Sequence, residues 1–110
     1  MEITARQEAE VQVLECSGRL TMVTARSLRD AVEQALGAGP PRLVLDLGEV
    51  GFVDSSGLGA LISALKRARQ AGGDLRIAAV TEQVRTVLKL TNLDRVLRPY
   101  ADVPGARDGW

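Results

Sequence analysis

Arg42 to Leu47 read RLVLDL, a near-continuous aliphatic run bounded by Pro41 and Gly48. A short run without clean alternation fits a strand buried on both faces, and such strands are central and usually parallel. Parallel neighbours need a crossover of about a dozen residues or more, usually a helix. The chain offers one on each side of the run. Upstream, TMVTARSLRDAVEQALGAGPP sets Leu28, Ala31, Val32, Ala35 and Leu36 at helical spacing. This predicts a helix over 23–37, with Thr21 or Thr24 as cap and GAGPP as its stop. Downstream, Leu58, Leu61, Ile62 and Leu65 fall at i, i+3, i+4 and i+7, and QAGGD ends that helix.

The remaining segments fit the same plan. EVQVLECSG, Glu10 to Gly18, alternates at Val11 and Val13 and then changes parity at Leu14 and Cys16, which predicts a strand with an irregular middle. A shorter strand over 3–6 pairs with it through the polar QEAE turn. GEVGFV after the central run reads as a turn and a short extended piece. Leu75 to Val80 alternates as a strand, and Val84, Val87 and Leu88 share a face of a last helix with Thr81 as its cap. The order β, β, α, β, α, β, α predicts one α/β domain with a mixed, mostly parallel sheet of four to five strands. It occupies residues 3–98; the segment 99–110, with two prolines, two glycines and little periodicity, reads as a loose tail.

Composition narrows the chemistry. Aromatic residues make up 3% of the chain, too few for a platform that stacks single-stranded nucleic acid. Fourteen basic residues balance 14 acidic ones, so the chain carries no overall electrostatic footprint for DNA or RNA. The absence of histidine removes Ser-His-Asp catalysis and His-containing zinc sites. The lone Cys16 lies in an apolar strand and reads as a buried, inert thiol. Neither a signal pattern nor a long apolar span is present, so a cytoplasmic protein without direct membrane contact is expected. No metal, cofactor or catalytic residue is expected.

One stretch carries more than fold. FVDSSGLGALISALKRA, from Phe52 to Ala68, puts Asp54, Ser55, Ser56, Gly57, Leu58 and Gly59 where extended chain becomes helix. Either serine can cap the helix, a contribution of about 1 kcal/mol. Capping needs only one of them and leaves the glycines unexplained, since each costs about 0.5–1 kcal/mol relative to alanine inside a helix. A nucleophile elbow would require G-x-S-x-G, but Val53 and Asp54 precede Ser55. A P-loop would require G-K-[ST], but no lysine precedes Lys66. Capping with packing, regulatory phosphorylation and catalysis remain as readings of the pair. Lys66, Arg67 and Arg69 complement the dipole at the far end of that helix.

The segment LVLDLGEVGFVDSSGLGALISALKRARQAGGDLRIAAV resembles the central motif of the STAS domain, in the branch of bacterial anti-sigma factor antagonists. SGRLTMVTARSLRDAVEQAL resembles that family's first helix region and VRTVLKLTNLDRVL its last, so the likeness runs from Ile3 to Leu97. The resemblance implies a STAS-like fold with helices packed mainly on one face of the sheet. It implies a non-catalytic binding module whose unphosphorylated form binds an anti-sigma factor that is also a serine kinase, freeing the sigma factor. Ser55 is then the phosphorylated serine, with Ser56 as fallback, and a metal-dependent serine phosphatase reverses the step. The implied partner surface is Thr21, Asp54, Ser55, Ser56, Gly57, Leu58 and Gly59, on a monomer or weak dimer. Family members often carry an acid where this chain has Thr21, in the segment Gly18-Arg19-Leu20-Thr21. That departure bears on kinase recognition. The alternatives are a STAS subunit of a stress-signalling scaffold or of a lipid ABC transporter.

Overall fold

The computed structural model describes every residue except Gly109. Strands β1 (Glu2–Glu8) and β2 (Val11–Leu20) form an antiparallel pair. Helix α1 (Ala25–Ala38) crosses to β3 (Arg42–Val53), and α2 (Ser55–Gln70) crosses to β4 (Asp74–Ala78). Then α3 (Glu82–Leu90), a 3-10 turn (Leu93–Arg95), β5 (Pro99–Tyr100) and α4 (Val103–Arg107) complete the chain. The strands lie in sequence order, and every pair after β1–β2 is parallel. The five-stranded mixed sheet agrees with the architecture expected from the central run.

The long crossover helices pack on one face. Leu28, Val32 and Ala35 of α1, Leu58, Leu61 and Leu65 of α2, and Val84 and Leu88 of α3 meet Leu14, Leu20, Leu43, Leu45, Leu47, Val50, Val53 and Ile77 in one core. Val11, Val13, Val44 and Ala78 face the other way. The first half of β2 is therefore buried on both faces, and its change of parity is double burial, not an irregularity.

The irregularity belongs to β3, which runs unbroken through Gly48 to Val53 where a turn was expected. Glu15 pairs with Asp46 and Ser17 with Glu49, so β3 holds one extra residue there; a second enters between Val50 and Phe52, opposite Gly18 and Arg19. A strand alternates faces at every residue, so one inserted residue reverses its parity. Leu43, Leu45 and Leu47 face the helices; the two bulges bring Val50 and then Val53 back to the same face. The Thr81 hydroxyl donates to the Val50 carbonyl at 2.8 Å, fixing the strand between them. Thr81 thus stands at the start of α3 without capping it by side chain.

Over residues 99–108 the chain is not the loose tail its composition suggested, and Gly109 lies outside the described residues. Pro99 and Tyr100 extend the sheet, and α4 lays Val103 and Ala106 over Val11, Val13, Val44 and Ala78. Asp102 caps α4 by accepting from the Gly105 N–H at 2.7 Å. Arg76 donates to the Ala106 carbonyl at 2.8 Å and lies 4.3 Å from the Trp110 ring centroid, while Arg107 pairs with Glu8. The local pattern fails here because the segment is too short for periodicity, and its order comes from covering an apolar sheet face.

Candidate functional site

The serine motif sits where β3 hands the chain to α2. Asp54, not a serine, caps that helix: its Oδ1 accepts from the Gly57 N–H at 2.8 Å. This corrects the expectation that Ser55 or Ser56 does so. Aspartate at this position binds a free N–H of the first turn and places negative charge at the positive end of the helix dipole. Ser55 and Ser56 become the first two helical residues, and both are exposed. Among the described residues neither hydroxyl has an intramolecular hydrogen-bond partner. Their N–H groups belong to the unpaired set that every helix start leaves open.

The two glycines separate into different roles. A Cβ on Gly57 would lie 2.2 Å from the Leu20 carbonyl oxygen and 2.8 Å from Leu20 Cγ. Gly57 is therefore required by the close passage of α2 over the end of β2. Gly59 meets nothing within 4 Å and lies on the exposed face with Ser55 and Ser56. Leu58, expected on the partner surface, is 6% exposed and belongs to the core.

Thr21 lies in the β2–α1 turn, which the same aspartate holds against α2. Asp54 Oδ2 accepts from the Met22 N–H at 3.2 Å, and the Asp54 N–H donates to the Leu20 carbonyl at 3.1 Å. Neither Thr21 nor Thr24 caps α1 by side chain. The Thr24 hydroxyl instead accepts from the Thr21 N–H at 2.9 Å and donates to the Arg19 carbonyl at 2.6 Å. Gln83 supports the junction from α3, its Oε1 accepting from the Val53 N–H at 3.0 Å. Thus Thr21, Asp54, Ser55, Ser56 and Gly59 gather at one end of the sheet, while Gly57 and Leu58 face inward. Met22 and Val23, to which the sequence pattern gave no role, stand in the same turn and are 74% and 84% exposed.

The remaining chemistry is quiet. Cys16 is buried on β2, and burial pushes its thiol up to about 12. Among the described residues, no group of three or more Cys, Asp or Glu side chains is placed to hold a metal ion. No helix there is long and apolar enough to cross a membrane.

A mixed sheet with its long helices on one face and exposed serines at the start of the helix after its central strand is the arrangement of a STAS domain. The chain belongs to that family, whose model, described as Mlab, STAS domain, matches residues 3–99. It is similar to the anti-sigma-F factor antagonist RsfB of Mycobacterium tuberculosis, 27% identical over 107 residues, which are 97% of this chain and 87% of that protein. A STAS-domain containing protein of Pseudomonas aeruginosa is 30% identical over 100 residues, 89% of this chain and 98% of that one. Among solved structures, an anti-sigma factor antagonist from Mycobacterium paratuberculosis superposes with a TM-score of 0.84 at 30% identity, covering 96% of this chain and 89% of its own.

Proposed function

We propose that this protein is a cytoplasmic anti-sigma factor antagonist, a non-catalytic binding module switched at Ser55. Its unphosphorylated form binds an anti-sigma factor with serine kinase activity and so releases the sigma factor. Phosphorylation of Ser55 breaks that complex, and a metal-dependent serine phosphatase restores it. The observation that carries this reading is the freedom of Ser55: it is exposed at the first position of α2, with capping already done by Asp54. Its similarity to proteins named anti-sigma factor antagonists supports the same reading.

The electrostatics favour a switch that acts at the interface. A phosphate adds about −1.5 to −2 charge at pH 7. At Ser55 it meets open N–H groups and the helix dipole, which favour an anion, while the neighbouring Asp54 carboxylate opposes it. The added group sits on the surface and displaces no core side chain. The domain therefore keeps its fold, and the loss of affinity arises across the interface.

The test is incubation with the organism's anti-sigma factor kinases and ATP, followed by mapping of the modified residue. Ser55→Ala keeps binding, and Ser55→Asp binds more weakly by about 1–3 kcal/mol, the usual scale of regulatory coupling. Equal affinity of the two variants removes Ser55 as the switch. A melting transition lost on phosphorylation overturns the claim that the fold persists. Thr21, in place of the acid that family members often carry, favours a second reading, a STAS subunit of a scaffold or lipid transporter. Absence of phosphate transfer from every such kinase would select it.

A further inference from the structure

Two of the largest exposed apolar side chains in the protein stand side by side beside the serine-bearing helix. Met22 and Val23 are 74% and 84% exposed, although Leu20 and Ala25 on either side are buried. Isolated exposed apolar residues are ordinary on a protein surface; a rigidly presented pair next to a binding site is not. This turn is rigid. The N–H of Thr21 donates to Thr24 Oγ1, that of Met22 to Asp54 Oδ2 and that of Val23 to Thr21 Oγ1, at 2.9, 3.2 and 3.3 Å. The N–H groups of Thr24 and Ala25 both reach the Thr21 carbonyl, at 3.1 and 2.8 Å. Every backbone donor from Thr21 to Ala25 is thus paired within the protein while both side chains point to solvent.

We propose that Met22 and Val23 form the apolar anchor by which this chain docks on its anti-sigma factor, with Asp54 as the positioning residue that holds the anchor in register with Ser55. The identity of the partner rests on the function proposed above; the anchor itself rests on the turn. A pre-organised tip loses little conformational freedom on binding, and interface affinity concentrates in a few side chains that fill apolar depressions. The partner surface that fits is an apolar depression beside the site that receives Ser55. Two side chains fall far short of the roughly 1,000 Å² that a stable interface needs, so the tip acts as an anchor within a larger surface that includes Ser55 and not as a dimer contact by itself. One carboxylate serves both halves of the surface: Oδ1 binds the Gly57 N–H of α2, and Oδ2 binds the Met22 N–H of the turn. An asparagine has one acceptor oxygen and must turn its NH2 towards one of those two donors.

The experiment titrates the full-length chain, Met22→Ser/Val23→Ser, Asp54→Asn and Ser55→Asp against the organism's purified anti-sigma factor kinases, with a melting curve for each. Met22→Ser/Val23→Ser weakens binding at least tenfold without lowering the melting temperature, whereas Met22→Leu/Val23→Ile retains wild-type affinity. Asp54→Asn weakens binding, and adding it to Met22→Ser/Val23→Ser brings little further loss. Full affinity of Met22→Ser/Val23→Ser overturns the anchor; if Ser55→Asp is weakened in the same series, the switch stands without it. Loss of affinity in the serine pair with none in Ser55→Asp keeps the anchor and rejects the switch. A wild-type chain that binds no such kinase overturns the anchor as assigned. Sedimentation as a dimer that the serine pair converts to a monomer assigns the tip to self-association and overturns it too.

Discussion

Gly57→Ala separates a glycine demanded by the fold from one left open on the surface. Inside a helix this change normally stabilises by about 0.5–1 kcal/mol, because alanine loses less backbone entropy on folding. Here the new methyl would sit 2.2 Å from the Leu20 carbonyl oxygen and 2.8 Å from its carbonyl carbon. Those are backbone atoms of β2, so no side-chain rotation relieves the contact. The first turn of α2 has to lift, and overpacking of this kind costs about 1–3 kcal/mol. Lifting also strains the bond from the Asp54 N–H to the Leu20 carbonyl, at 3.1 Å, a net contribution of about 1 kcal/mol. Against the gain in helix propensity, the balance is a destabilisation of about 2 kcal/mol. Gly59→Ala, two residues further on, meets nothing within 4 Å and stabilises by about 0.5–1 kcal/mol. Urea unfolding followed by circular dichroism reads both, as opposite shifts of the midpoint at constant slope. A Gly57→Ala protein as stable as the wild type would refute the close approach of α2 to β2.

Two further outcomes test the rest of the molecule. The Cys16 thiol is held up to about 12 by burial, above its ordinary value of 9.0, so its contribution to stability is complete below pH 9.0 and is lost as pH rises towards about 12. Stability falls over that window in the wild type and less so in Cys16→Ala, while alkylation of the folded protein at neutral pH proceeds only as fast as the fold opens; rapid alkylation there would show an accessible thiol. Ending the chain at Ala101 removes Val103 and Ala106 from the second sheet face, at a cost of about 2–3 kcal/mol, and exposes Val11, Val13 and Val44. An unchanged unfolding midpoint and no gain in binding of an apolar dye would show that α4 does not stabilise the sheet.

The elements were legible wherever burial imposes a period. Leu28, Val32 and Ala35, and Leu58, Leu61 and Leu65, repeat at helical spacing because each helix covers one sheet face. RLVLDL has no period because both its faces are covered, and that absence placed it at the centre of a parallel sheet. What sequence reading missed depends on pairing partners. The two bulges of β3 are defined only against β2, so Gly48 and Gly51 read as turn residues although the strand continues through both. The order of α4 has the same origin, since Val103 and Ala106 acquire a reason only beside Val11, Val13, Val44 and Ala78.

At the site, the residue types in DSSGLG were informative, but the division of labour among them was not. Any of Asp54, Ser55 and Ser56 has the side-chain chemistry of a cap, and the choice depends on which residue first adopts helical dihedrals. Asp54 remains extended, at φ −101° and ψ −177°, so the cap falls to it and both serines enter the helix. That one-residue shift changes the chemistry. A phosphate on a capping serine would take over the bond to the first-turn N–H, so modification would change how the helix start is held. With the cap on Asp54, the proposed phosphate on Ser55 would leave the bond from the Gly57 N–H to Oδ1 and the contact of α2 with Leu20 in place. The same carboxylate carries the Met22 N–H, so the element that keeps the helix start closed also keeps the turn beside it in position. Under the proposed switch, such a surface would change its charge and keep its shape, which is what a reversible switch between two binding states requires of the domain that carries it.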